Sequence, residues 1–186
     1  MIVFDWEKQI IEIARTWPIN GPIYDFFHFW TDYSESKWLA LLFMVTLSFV
    51  IGWKKLIIPS IFSCIAVLLG DLASRRLIKA FIMRPRPNYV DVVCNVGKCW
   101  GFVSSHSTNI TAVAVFLSLY DRRNIYWASP VVTLVCFSRI YLIDHFPLDV
   151  IGGMFLGAGV GTFVWIMFKT QLVQKHVFRF SERFEI

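Results

Sequence analysis

The chain has 186 residues, of which 56% are hydrophobic and 17% charged, with a mean hydropathy of +0.58. Soluble domains run at roughly 45–50% apolar residues, so an ordinary soluble protein is excluded, and the length sets a single domain over residues 1–186. The net charge of +5 and pI of 9.1 are compatible with a nucleic-acid partner only if the basic residues line one polar face. They lie between apolar runs instead, so membrane topology accounts for them and no nucleic-acid partner is expected.

Residues 1–36 come first. Ile2, Val3, Phe4, Trp6, Ile10, Ile11 and Ile13 are interspersed with Asp5, Glu7, Lys8, Glu12 and Arg15, which predicts amphipathic helix lying in the membrane interface. Pro18 and Pro22 break the chain before an aromatic run from Tyr24 to Trp30. The alternative, a span through Ile10 to Trp30, would carry charges and two prolines. The start lacks the basic region and apolar core of a signal peptide.

Five stretches then approach the length or continuity of membrane spans, which need about 20 mostly apolar residues. They are Trp38 to Trp53, Leu56 to Ile82, Phe102 to Tyr120, Ile125 to Ile143, and the run from Pro147 to Phe168. The expected fold is all-α, an integral membrane bundle of five to six spans with interfacial helices at the N-terminus. In a five-span count, Lys54 and Lys55, Arg122 and Arg123, and Lys169, Lys175, Arg179 and Arg183 share one side. By the positive-inside rule that side is cytoplasmic.

The opposite side collects three clusters: Lys79 with Arg86-Pro87, then Ser104-Ser105-His106, then Ser138-Arg139 with His145 and Asp149. Arginine grips two phosphate oxygens with its planar fork and lysine adds a point charge, so Lys79, Arg86 and Arg139 are candidate phosphate ligands. Pro85 and Pro87 bias the chain away from helix and fix a turn around Arg86. Ser104 and His106 stand where a loop enters the third span, and amides at a helix N-terminus bind anions. Ser104 and Ser105 therefore join the candidate cradle, although Ser104 also fits a plain helix cap. His145 and Asp149 are one helical turn apart, so the carboxylate reaches the imidazole and fixes its tautomer. Asp144, beside His145, is the alternative partner or a cap before Pro147. Arg75, Arg76 and Arg84 fit the ordinary role of span-end anchors or helix-pair glue, with a site role as the alternative, and Asp71 is placed to pair with Arg75.

The pattern of Lys79, six residues, Arg86-Pro87; Ser104-x-His106; and Ser138-Arg139, five residues, His145, three residues, Asp149 resembles the three-part signature of the type 2 phosphatidic acid phosphatase superfamily. It covers residues 79–149. The middle cluster departs from the usual Pro-Ser-Gly-His, with Val103 for proline and Ser105 for glycine. The resemblance implies an integral membrane lipid phosphatase with catalytic residues His145, His106 and Asp149. His145 attacks phosphorus to give a phosphohistidine, and His106 protonates the departing lipid oxygen and then activates water.

No metal or other cofactor is expected, because no carboxylate or Cys/His cluster has ligand spacing and three basic side chains supply the electrostatics. Cys64 and Cys136 lie within spans, while Cys94 and Cys99 bracket a four-residue loop on the outer side where a disulfide between them is expected. Gly153, Gly157 and Gly161 recur every four residues, a spacing for close helix packing within the bundle, with dimerisation as the alternative. The expected partners are the bilayer and a lipid with a phosphate or diphosphate head group; the oligomeric state stays open. The short chain resembles bacterial members of the superfamily in the cytoplasmic membrane with the site facing the periplasm. Lipid A 1-phosphate and undecaprenyl diphosphate stand level as substrates, with phosphatidylglycerophosphate and phosphatidic acid behind. A lipid phosphotransferase using the same phosphohistidine, and a non-enzymatic transporter or anion-binding protein, are the rival functions.

Overall fold

The structure, a computed structural model, describes residues 3–18, 20–34, 53–89 and 99–170. The predicted span from Trp38, apart from its last residue Trp53, lies outside them, as do Cys94, Lys98 and the basic residues beyond 170. Every regular segment described is helical. Helix α1 covers Asp5–Arg15 and α2 covers Pro22–Ser34. Helix α3, Trp53–Asp71, runs on through a π-helical segment, Leu72–Ile78, into the short α4, Lys79–Ile82. Helices α5, Ser105–Tyr120, α6, Ile125–Tyr141, and α7, Pro147–Lys169, complete the bundle.

Among the described residues, two helices are long and apolar enough to cross a membrane, Ile57–Ile82 and Pro147–Lys169. Helices α5 and α6, of 16 and 17 residues, are about 25 Å long at 1.5 Å per residue. The N-terminal region is two short helices, with Thr16 to Gly21 outside both, so Ile10 to Trp30 does not form one continuous span. Helix α1 exposes Phe4, Trp6 and Ile13 and turns Ile11 and Ala14 inward. Glu7 shares that inward face and is fully buried, contrary to its assignment to the polar, interfacial side. Positions 7, 11 and 14 fall on one helical face, so the packing follows the helical period and overrides the residue's charge.

The bundle is polarised along its length. Phe62 and Ala66 of α3, Ala112 and Phe116 of α5 and Val164 of α7 form an apolar core, with Tyr120, Trp165 and Phe168 stacked against it. The buried polar residues Ser74, Lys79, Arg84, Ser104, Ser105, Ser138, Arg139, His145 and Asp149 lie at the other end of the same helices. Helix α7 joins the two zones by close approach to α5. A Cβ at Gly153, Gly157 or Gly161 would stand 2.7, 2.3 or 2.4 Å from the carbonyl oxygens of Ser104, Thr108 and Ala112. The glycine stripe is thus spent within the bundle, as expected. Gly157→Ala is predicted to destabilise the protein by about 1–3 kcal/mol through overpacking, read from thermal unfolding in micelles. An unchanged unfolding temperature would show that α5 and α7 separate without cost.

Helices α1 and α2 dock on α6. Trp17 stacks on Tyr141 with ring centroids 5.4 Å apart, Phe27 meets Tyr141 at 5.2 Å, and the Tyr141 hydroxyl donates to the Pro18 carbonyl at 2.8 Å.

Candidate active site

The first cluster is shaped by a change of helical winding. In the π-helical segment the Lys79 amide donates to the Ser74 carbonyl, five residues back. An α-helix would stack residue 77 or 78 beneath Ser74; the wider turn puts Lys79 there, and both Ser74 and Lys79 are buried. Asp71 accepts from the Asn109 side chain at 2.8 Å and pairs with Arg75 at 3.3 Å, which ties this stretch to α5. Met83, in the left-handed region at φ 47°, then ends the helix.

Beyond it, Arg84 to Arg86 run antiparallel to Cys99 to Gly101. The Arg86 amide donates to the Cys99 carbonyl at 2.9 Å and the Gly101 amide to the Arg84 carbonyl at 2.7 Å. Cys99 is disulfide-bonded, while Cys64 and Cys136 are free. Gly101 has no room for a side chain, since a Cβ would sit 2.7 Å from Asp149 Oδ2 and 3.4 Å from Arg86 Cγ. This ribbon brings the first and second clusters together.

In the second cluster Ser104 caps α5 by accepting from the Ser107 amide at 3.4 Å. Its own amide donates to the Asp149 carbonyl at 2.9 Å, fastening the start of α5 to the start of α7. Ser105, the departure from the expected glycine, makes a hydroxyl–hydroxyl hydrogen bond with Ser74 at 3.1 Å. Its side chain is therefore engaged with the π-helical segment, and only its amide remains for an anion at the helix N-terminus. His106 is half-buried and within electrostatic reach of Arg139, His145 and Arg86.

The third cluster lies on a loop between α6 and α7. The amides of Asp144 and His145 both donate to the Arg139 carbonyl, at 3.0 and 3.2 Å, curling the chain around Ile143, which takes the left-handed conformation at φ 59°. That conformation costs a β-branched residue about 1–2 kcal/mol, held here by the converging amides. Arg139 is buried, with Nε and Nη2 each 3.1 Å from the Ser138 hydroxyl. Asp144 stands 3.8 Å from Arg139, which accounts for that carboxylate.

Asp149 sits in the first turn of α7, directly after Pro147 and Leu148. Its Oδ2 accepts from the Phe146 amide at 3.0 Å and lies 3.6 Å from His145 Nδ1. The second contact is longer than a hydrogen bond. The other oxygen, Oδ1, accepts from Arg84 Nη1 at 2.6 Å. Arg84 is 1% exposed and its Nη2 donates to Glu7, so it is no span-end anchor. Its guanidinium also rests over the Phe146 ring at 4.9 Å. Sequence alone places Glu7 outside the site and leaves Arg84 open between anchor or helix-pair glue and a site role; the inward phase of Glu7 with Ile11 and Ala14 is the available signal.

Burial lowers the pKa of His145 to about 4, against the opposing pull of the Asp149 carboxylate and with Arg86 adding to the lowering. A lowered imidazole pKa leaves the ring neutral at all higher pH, so the form with a free ring lone pair is complete from about pH 5 upward. The acid limb of kcat/KM, corrected for the substrate's own ionisation, is expected near pH 4. A limb at the ordinary histidine value of 6.5 would contradict a buried, neutral His145. Among the described residues no group of three or more His, Cys, Asp or Glu is arranged to hold a metal ion.

A helical membrane bundle that gathers buried cations and two imidazoles at one end of its helices is built as a membrane enzyme acting on a phosphate ester. Residues 60–172 match the PAP2 superfamily, and the chain belongs to it as a membrane lipid phosphatase. It is 33% identical over 179 residues to a lipid A 4'-phosphatase from Porphyromonas gingivalis, covering 85% of this chain and 74% of that one. Over 92 residues it is 37% identical to a decaprenylphosphoryl-5-phosphoribose phosphatase from Mycobacterium tuberculosis, covering 47% of this chain and 50% of that one. The fold is that of the transmembrane PAP2-type phosphatidylglycerolphosphate phosphatase from Bacillus subtilis, with a TM-score of 0.61 and 22% identity over 86% of this chain and 82% of that one.

Proposed function

We propose that the protein hydrolyses a phosphate monoester on the sugar of a bacterial envelope lipid, lipid A first, by a metal-independent route through a phosphohistidine at the periplasmic face. The observation that carries this reading is the position of His145: its Nδ1 faces Asp149, and Arg86 and Lys79 lie within electrostatic reach. In that arrangement the carboxylate holds the proton on Nδ1 and leaves the Nε2 lone pair for attack.

Lys79, Arg86 and Arg139 hold the non-bridging oxygens, with the α5 amides of Ser105 and His106 as a further cradle. Nε2 of His145 bonds to phosphorus as the bond to the lipid oxygen breaks, and His106, charged by a proton taken up when the phosphate anion binds beside it, gives that proton to the oxygen. Water, losing a proton to His106, then attacks phosphorus, the P–N bond breaks, and inorganic phosphate leaves. The substrate choice rests on likeness to the lipid A 4'-phosphatase across 85% of the chain, which favours lipid A over undecaprenyl diphosphate where the sequence motifs leave them level. Orientation rests on Arg122, Arg123 and Lys169, at the bundle end opposite His145, as positive-inside markers. We also take Cys94 as the partner of disulfide-bonded Cys99, the residue directly before Trp100 and Gly101.

The test is phosphate release by purified protein from lipid A, undecaprenyl diphosphate, phosphatidylglycerophosphate and phosphatidic acid, with and without a chelator. Release from lipid A at the highest kcat/KM, unaffected by chelator, is expected. Preference for another of the four would reassign the substrate, loss on chelation would overturn the metal-free route, and radiolabel passing to a second lipid would mark a phosphotransferase.

A further inference from the structure

Resting on the phosphatase reading, we propose that Glu7 on the N-terminal helix is a positioning residue of the active site, acting through Arg84 to aim and charge Asp149 against His145. Three ionisable side chains carry the idea: Glu7 and Asp149 are 0% exposed and Arg84 is 1% exposed. One guanidinium is divided between two carboxylates, with Nη2 on Glu7 and Nη1 on Asp149. Two buried carboxylates around one cation leave a net negative charge, and the other oxygen of Asp149, Oδ2, which accepts from the Phe146 amide, also faces His145.

Glu7 is itself fixed from three directions. Its Oε2 accepts from the Phe4 amide at 3.2 Å and from Arg84, and its Oε1 accepts from the Leu148 amide at 3.2 Å, one residue before Asp149. The same side chain therefore caps the helix whose first turn presents Asp149, and it occupies half of the arginine fork. Neutralising Glu7 would turn the whole cation onto Asp149 and draw electron density away from Oδ2. The weaker acceptor would hold Nδ1–H of His145 less firmly, and the imidazole would relax towards the tautomer with its proton on Nε2, the atom needed for attack. Besides Asp149, the groups acting on His145 are Arg86 and Lys79 from the first cluster and His106 from α5, none of which contacts Glu7. A helix that lies across the bundle end, far from the motifs in sequence, thus becomes part of the catalytic apparatus.

The experiment uses the full chain in lipid nanodiscs as wild type, Glu7→Gln, Glu7→Asp and Glu12→Gln, the last on the exposed face of α1. Phosphate release from lipid A is measured beside 15N-histidine NMR at pH 7; the chain has four histidines, so His145→Asn assigns its signal. Glu7→Gln is expected to lower kcat about 10–100-fold with KM within threefold, by analogy with the loss when the hydrogen-bond partner that orients a metal-ligating histidine is removed. His145 is expected to shift towards the Nε2–H tautomer, Glu7→Asp to recover part of both effects, and Glu12→Gln to match wild type. The inference is overturned if Glu7→Gln turns over like wild type, or if its loss follows only the folded fraction while the His145 tautomer stays unchanged. A wild type that releases no phosphate from any lipid would sink the phosphatase reading instead, and the NMR comparison would still decide whether Glu7 governs His145.

Discussion

His145→Ala is expected to abolish phosphate release, by about 10⁴-fold or more, because the variant loses the atom proposed to bond to phosphorus and keeps only binding and charge stabilisation. The protein should remain folded: His145 Nδ1 makes no hydrogen bond within normal length, and the loop around it is held by backbone contacts to Arg139. Incubation with 32P-labelled lipid should leave an acid-labile, alkali-stable label on the wild type and none on the variant. His106→Ala tests the other half of the scheme. Its loss should be about 10²–10⁴-fold for a lipid alkoxide leaving group and much smaller in the first step for an aryl phosphate, which departs without a proton. The label should then accumulate, since water no longer has its base. Activity surviving in both variants would refute the phosphohistidine route, and activity surviving only in His145→Ala would move the nucleophile elsewhere.

What sequence supplied and what it hid divide along a physical line. Periodicity and apolar run length located the continuous helix from α3 through α4, and α5, α6 and α7, to within a few residues, because those helices bury or expose whole faces of apolar side chains. The three polar clusters were legible because chemistry restricts phosphate handling to a few residue types at fixed spacing. Ser105 had no such rule, and only the contact with Ser74 reveals where its hydroxyl goes. The π-helical turn was also invisible, since its effect is a one-residue phase shift that hydropathy does not register. Glu7 and Arg84 were obscured by a sound prior: a charged residue on an interfacial helix, or at a span end, ordinarily faces water. Their pairing spans 77 residues of sequence, and only the docking of α1 on α6 and α7 creates it.

Arg84→Met should be the most damaging substitution for stability. The guanidinium is the partner of two carboxylates that are both buried, so its removal leaves Glu7 and Asp149 as like charges with little water to screen them. Breaking one buried ion pair costs about 3–5 kcal/mol, and two anions left together take that to its upper end or beyond. A typical domain has only about 5–15 kcal/mol in hand, so little folded protein should be recovered after extraction into detergent. Lysine should rescue poorly, because its single ammonium cannot reproduce the two-armed fork. The cause is separable by a double-mutant cycle: in a Glu7→Gln background the arginine's removal strands one carboxylate rather than two, so Arg84→Met should cost less there than in wild type. Equal costs in the two backgrounds, measured by unfolding in micelles, would mean that Arg84 stabilises through packing on Phe146. That outcome would remove the electrostatic link by which α1 reaches His145, since the guanidinium would then no longer transmit charge between the two carboxylates.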